Sequence, residues 1–287
     1  MSFKMPKDIA DGMINLGKTK VQFSIKKQLL LGFLAGNYIA FGGFLAIRAA
    51  GNLPEEFGSL QKLLFGAVFP LGLILVIIAG AELVTGNMMT QPIAYFDKKI
   101  NLRELLKNWT FVYLGNFIGG LFFAYFLAYK TGIIMEAGKV GEVSKAFPWA
   151  IYAVKIANAK VNLSWGEAFL RGIGCNWLVA LAVWMAYSAD DIIGKIFAIW
   201  WPIMGFVAMG FEHSVANMFF IPLGIYVGQD PVYIDFVHSA KGVLLAAPTL
   251  KATWYSFIVN NLIPVTLGNI IGAGFFVALM YWYIYKK

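Results

Sequence analysis

Few side chains in this sequence can do chemistry, and those that can are clustered. His213 lies in the string Phe-Glu-His-Ser-Val-Ala-Asn-Met at 211–218, beside Glu212 and four residues before Asn217, inside an otherwise apolar stretch. An imidazole at membrane depth is costly and points to function. Desolvation favours its neutral form, which keeps one N–H donor for an anion. It can also hand a proton to a weak-acid anion, giving a neutral acid that enters an apolar passage far more easily than an ion. The bland alternative is a histidine that ties the segment together. A second string, Glu82-Leu-Val-Thr-Gly-Asn87-Met88, has a similar layout. Its Thr85 hydroxyl can donate to the same anion, or can cap backbone groups freed by a helix break. Glu82 and Glu212 would repel an anion, so they read better as acceptors for freed N–H groups at helix starts. Asn87 does similar work, and Asn217 can also orient the histidine.

Other chemistries find little support. A lone cysteine, Cys175, allows no internal disulfide and no cysteine metal cluster, and the second histidine, His238, falls in a polar loop. No metal or cofactor is expected. Glu212 and His213 as an acid–base pair would make an intramembrane enzyme, but adjacent helical residues do not face one another and no nucleophile accompanies them. A subunit without a pathway would leave the buried histidine unexplained.

The elements that hold these residues follow from composition. The chain has 287 residues, 60% apolar and 13% charged, with a mean hydropathy of +0.70. Soluble domains are about 45–50% apolar and about 25% charged, so a soluble, disordered or disulfide-framed protein is excluded. Runs free or nearly free of charge cover 28–47, 63–96, 108–129, 172–189, 196–229 and 252–285. About 20 apolar residues cross a bilayer as a helix, and the strand alternation a barrel needs is absent. The expected fold is therefore an all-α polytopic membrane protein with six transmembrane helices. The second and fifth runs would each be about 51 Å long as one straight helix. Each carries an acidic residue and glycines near its middle (Gly80, Gly86; Gly205, Gly210), so both helices are expected to break there.

Residues 1–27 form a separate amphipathic segment, with Ile9, Met13, Leu16 and Phe23 near one face, suited to lying on a membrane surface. No cleavable signal pattern is present. Residues 28–287 form one transmembrane domain. The net charge of +8 reads as topology rather than as nucleic-acid binding. With six spans, residues 1–27, 97–107, 190–195 and 286–287 share one side, and these 46 residues hold 13 of the 23 lysines and arginines. The opposite side holds 10 in 79 residues, which puts both termini in the cytoplasm of a cell-membrane protein.

The chain also repeats. The Glu82 and Glu212 strings align, Leu114-Gly-Asn116-Phe-Ile-Gly119 aligns with Leu267-Gly-Asn269-Ile-Ile-Gly272, and Asn37 aligns loosely with Asn176. Repeat 1 spans about 28–130 and repeat 2 about 160–285. With three spans each, the halves enter from opposite sides, as a 3+3 inverted repeat whose broken helices meet at mid-depth. Asn116 and Asn269, each beside a glycine, read as polar glue at close helix crossings.

The strings around Glu82 and Glu212, with Asn261-Leu-Ile-Pro-Val-Thr-Leu-Gly-Asn-Ile-Ile-Gly272, resemble the formate/nitrite transporter family over nearly the whole chain. That resemblance implies an aquaporin-like six-helix protomer in a homopentamer, with a pore in each protomer for small weak-acid monoanions. Formate is the first choice, nitrite and hydrosulfide are alternatives, and proton coupling is open. It makes His213 the central pore histidine, facing Thr85 across the path. It matches Lys160, otherwise a solvated loop lysine, to a vestibule lysine that draws anions in, and Asn176 to a polar lining position. It selects Phe69, Leu73, Leu83 and Phe206 as apolar constrictions on either side of the centre. It also suggests that the N-terminal segment gates the cytoplasmic mouth.

Overall fold

Helix starts are set by short polar residues and proline. Ser24 accepts the Lys27 amide at 3.3 Å, Asp191 accepts the Gly194 amide at 2.7 Å, and reciprocal capping boxes join Asn101 to Glu104 and Ser164 to Glu167. Pro6, Pro148 and Pro231 open their helices, where the missing N–H costs nothing. The computed structural model describes residues 3–140 and 143–287. Its helices are α1 Pro6–Val21, α2 Ile25–Ala50, α3 Ser59–Gly80, α4 Val84–Phe96, α5 Leu102–Tyr129, α6 Pro148–Val161, α7 Trp165–Ser188, α8 Ile192–Ala208, α9 Ser214–Gly228, α10 Pro231–His238, α11 Ala240–Leu244 and α12 Ser256–Lys286. Strands β1 Gly138–Val140 and β2 Val143–Lys145 pair antiparallel, with Gly138 opposite Lys145.

Five helices, α2, α3, α5, α7 and α12, are long and apolar enough to cross a membrane. The chain is a multi-pass membrane protein. The helices begin earlier than the charge-free runs because their first turns carry charge: Lys26 and Lys27 in α2, Arg103 and Lys107 in α5, Glu167 and Arg171 in α7. Such long side chains keep their charged ends at the interface while the helix continues inward.

Both long runs are broken. α3 ends at Gly80 and α4 starts at Val84; α8 ends at Ala208 and α9 starts at Ser214. Gly80 (φ +88°) and Gly210 (φ +78°) turn the chain into the left-handed region, which glycine enters without a Cβ penalty. The half-helices after the breaks are the core, since 84–94 and 214–225 are buried throughout. Around them α2 packs on α5 and α7 on α12 at backbone distance. A Cβ at Gly119 would lie 2.2 Å from the Phe33 carbonyl oxygen, and one at Gly272 would lie 2.4 Å from that of Ile173.

The N-terminal helix departs from expectation. Its apolar face lies against protein, not on a membrane surface: Ile9, Ala10, Met13 and Ile14 are buried, and Leu16 and Phe23 line a cavity between this helix and the core. Gly17 makes this possible, because any Cβ there would overlap the Thr90 carbonyl. Residues 3 and 4 are pinned to the end of α7 by a Phe3–Ala189 bridge and by the Lys4 amide on the Ser188 carbonyl at 2.8 Å.

Candidate functional site

Each break exposes backbone groups that need partners. The freed Val84 amide donates to Asn116 Oδ1 at 2.9 Å, and Asn116 Nδ2 donates to the carbonyls of Gly32 and Glu82. In the other half the Ser214 amide donates to Asn269 Oδ1 at 2.9 Å, and Asn269 Nδ2 donates to the carbonyls of Gly172 and Glu212. Asn116 and Asn269, expected as interhelical glue, thus do the job expected of Glu82 and Glu212. An asparagine can accept and donate at once, whereas a carboxylate only accepts.

The two carboxylates instead anchor lysines. Glu82 Oε1 lies 3.1 Å from Lys20 Nζ, and its Oε2 accepts from Asn87 Nδ2 at 2.8 Å. Glu212 Oε1 accepts from Lys160 Nζ at 2.9 Å, and its Oε2 from Asn217 Nδ2 at 2.7 Å and Asn261 Nδ2 at 3.2 Å. Asn87 and Asn217 donate further to Asn108 and Asn261. Lys160 is therefore not a solvated loop residue. It ends α6, largely buried, at a carboxylate. Both carboxylates are 4% exposed, and in each the oxygen not paired with lysine accepts from asparagine amides.

Lys20, Asn108 and Asn261 were not singled out by sequence reasoning. Two spacings carried the signal. Lys20-Val-Gln-Phe-Ser24 parallels Lys160-Val-Asn-Leu-Ser164, and Asn108 and Asn261 each stand eight residues before Asn116 and Asn269. The first of these registers sets Gly36, not Asn37, against Asn176. Asn37 spends its amide nitrogen on the Phe33 carbonyl of its own helix.

His213 is the N-cap of α9. Its Nδ1 accepts the Ala216 amide at 3.1 Å, so the ring proton resides on Nε2. Nε2 lies 2.9 Å from Thr85 Oγ1 and donates to it, which leaves the threonine O–H for another acceptor. The same position in the first half is Leu83, the N-cap of α4. Asn176 is fully buried and gives its amide to the Thr85 and Asn269 carbonyls at 3.1 and 2.8 Å; it lies behind the threonine, outside the wall of the central cavity.

Three cavities run in sequence through this region. A vestibule of about 460 Å³ is lined by Lys20, Leu73, Glu82 and Leu83. A second, of about 310 Å³, is lined by Lys160, Glu212, His213, Phe69 and Phe206. Between them lies a cavity of about 10 Å³, room for about one water. Its wall combines Leu73 and Leu83 from the first vestibule with Phe69, Phe206 and His213 from the second. All four residues selected as constrictions therefore surround one point. The rings of Phe69 and Phe206 meet edge to face at 6.0 Å, and Phe206 lies 5.9 Å from the imidazole. Glu212 and His213 serve different partners and do not form an acid–base pair. No group of three His, Cys, Asp or Glu side chains that could hold a metal occurs among the described residues.

The sequence profile described as formate/nitrite transporter matches residues 7–283. A probable formate transporter of Methanothermobacter thermautotrophicus is 47% identical, covering 100% of this chain and 98% of the relative. A formate channel of Bacillus thuringiensis is 40% identical, covering 100% and 98%. Among solved structures, a pentameric formate channel with formate bound superimposes with a TM-score of 0.74 at 34% identity, over 92% of this chain and 98% of that one.

Proposed function

The chain belongs to the formate/nitrite transporter family, and on that premise we propose that it conducts small weak-acid monoanions, formate first, through a pore in each protomer of a homopentamer in the cell membrane. The choice of formate follows its likeness to a probable formate transporter and to formate channels. The observation that carries the reading is the apolar cavity of about 10 Å³ between two lysine-bearing vestibules, with His213 in its wall and Thr85 hydrogen-bonded to that histidine.

Lys20 and Lys160 concentrate anions at either end. An unpaired charge in an apolar constriction costs several kcal/mol, so the anion needs either donors or a proton at the centre. The Thr85 O–H, freed by the His213 Nε2–H, is the donor that meets it. A proton that the anion takes up from the water of the entry vestibule gives a neutral acid, which passes Phe69 and Phe206 or Leu73 and Leu83. On this reading the halves are inverted repeats of three spans, with the broken helices at one depth and both termini cytoplasmic; the charge distribution supports the orientation. The matched Lys20 and Lys160 registers extend the repeat back to include α1 and α6.

The test is flux of formate, nitrite and hydrosulfide side by side in proteoliposomes, with His213→Phe as the variant. We expect formate to lead, and the variant to conduct at least about tenfold more slowly with an altered pH dependence. A lead by nitrite or hydrosulfide would keep the pore and change its cargo. Absence of any anion flux would sink the reading.

A further inference from the structure

The two lysine–glutamate–asparagine clusters differ in one bond. In the first half Lys20 Nζ reaches both Glu82 Oε1 at 3.1 Å and Asn87 Oδ1 at 2.8 Å, while Asn87 Nδ2 returns to Glu82 Oε2, so the three side chains close a ring. In the second half Lys160 Nζ reaches Glu212 Oε1 and Asn217 Nδ2 reaches Glu212 Oε2, but Asn217 Oδ1 has no hydrogen-bond partner among the described residues. The ring is open. The amide cannot be turned to relieve this, because Nδ2 faces two acceptors, Glu212 Oε2 and Asn261 Oδ1 at 2.7 Å. The orphan is an acceptor, fully buried, and a buried unpaired acceptor costs about 1–3 kcal/mol. Lys160 spends one of its three N–H groups on Glu212 and lies 5.6 Å from the Phe220 ring. Lys160 and Asn217 both line the second vestibule, and each is tied to one oxygen of the same carboxylate.

A neighbouring donor and acceptor match a group that both accepts and donates. We propose that the second vestibule contains a docking site for a neutral carboxylic acid, with Lys160 Nζ donating to its carbonyl oxygen and Asn217 Oδ1 accepting its O–H. This rests on the weak-acid reading above and goes beyond it by giving the protonated form a receptor on one side only. A carboxylate has no proton for Asn217 and would face the amide oxygen unfavourably. The closed ring of the first half leaves one lysine N–H and no free acceptor, and so receives the anion. The charged and titratable groups that line the second vestibule are Lys62, Lys160, Arg171, Glu212 and His213, together with the Tyr152 phenol. Asn217 thereby becomes a specificity-determining residue for protonation state.

Infrared difference spectroscopy of the full-length protein in nanodiscs with 13C-formate reads the two forms separately, because the acid C=O stretch is distinct from the carboxylate bands. The wild-type protein should show a bound-acid band persisting to higher pH than in free solution. Asn217→Leu should weaken acid binding about tenfold, the size of one lost hydrogen bond. The mirror variant Asn87→Leu, which damages the equivalent cage, should retain the band. Should Asn217→Leu not fold, the double variant Lys160→Met/Glu212→Gln removes the donor to the carbonyl without leaving a buried uncompensated carboxylate, and should weaken the band similarly. A wild-type protein that conducts formate but shows no acid band overturns the docking site and leaves the channel standing. Equal loss of the band in Asn217→Leu and Asn87→Leu overturns the asymmetry. Absence of formate flux in the wild type overturns the channel reading itself.

Discussion

The two halves of the molecule solve one problem with one set of parts and then diverge. Glu82, Asn87, Asn108 and Asn116 hold the first break as Glu212, Asn217, Asn261 and Asn269 hold the second. They differ at the centre, where Leu83 stands opposite His213 in the pattern, and in how the cation arrives. Lys160 ends α6, which the chain enters and leaves through folded elements. Lys20 comes from α1, at the N-terminal end of the described chain. The comparison separates what supports the break, which must be duplicated, from what stands at the centre, which need not be. Backbone groups freed in hydrocarbon need partners wherever a helix breaks, whereas the side chain at the centre is free to differ between the halves.

If the supports are equivalent, damaging them should cost the same in both halves. Asn116→Leu and Asn269→Leu each strip partners from three buried backbone groups. Each should destabilise the protein by about 3–5 kcal/mol, and the two should agree within about 1 kcal/mol. Thermal unfolding of each variant in detergent measures this, and a large disagreement would break the equivalence. The lysines should not agree. Both are mostly buried beside a carboxylate, so removing either leaves an uncompensated charge, but Lys20 makes two side-chain contacts where Lys160 makes one. Lys20→Met should cost about 3 kcal/mol and Lys160→Met less, by the same unfolding measurement. Lys20→Met should also raise hydrogen exchange across residues 6–21, because its side-chain contacts help join the end of α1 to the core, beside the Asn108 amide on the Lys20 carbonyl at 3.2 Å. Equal costs with α1 undisturbed would show that the closed ring adds nothing.

Much of this was legible in the sequence because it depends on spacing. Five of the six apolar runs contain a helix long enough to cross a membrane, 196–229 holds two shorter ones, and the 34-residue lengths of 63–96 and 196–229 with mid-run glycines pointed to the breaks at Gly80 and Gly210. His213 and Thr85, read as candidates, do meet at 2.9 Å. What was not legible depends on which atom of a side chain reaches what. Asn116 and Glu82 are both polar residues near a break, and only the folded distances show that the amide takes the backbone and the carboxylate takes the lysine. Lys20 looked like one of many basic residues in an amphipathic segment. Its role appears only when Gly12 and Gly17 let α1 settle against Tyr187 and Thr90. An amphipathic pattern states that a face needs cover. It does not say whether lipid or protein supplies it.

The remaining difference, the attachment of α1, predicts the smallest effect. Lys4 forms an ion pair with Asp190 at the protein surface. The hydrogen bond from Lys4 holds the Asp190 carboxyl below the usual carboxylate range, and the same bond to Asp190 raises the Lys4 ammonium. A depressed carboxylate contributes stability above its ordinary pKa and loses it as pH falls through the lowered value. The raised lysine contributes below its ordinary pKa and loses that contribution as pH rises through the raised one. The pair is therefore intact near neutrality and weakens in acid. Both groups are exposed, so salt screens them, and the Phe3–Ala189 bridge and the Lys4 amide bond survive either change. Asp190→Asn, high salt or acid should each raise hydrogen exchange in residues 6–21 by less than about threefold, and exchange in 148–161 should not change. A much larger rise would mean that α1 is held chiefly by charge at its start rather than by its buried face and Lys20. The comparison between the halves would then shift, from two equivalent supports to one fixed support and one that ionic conditions release.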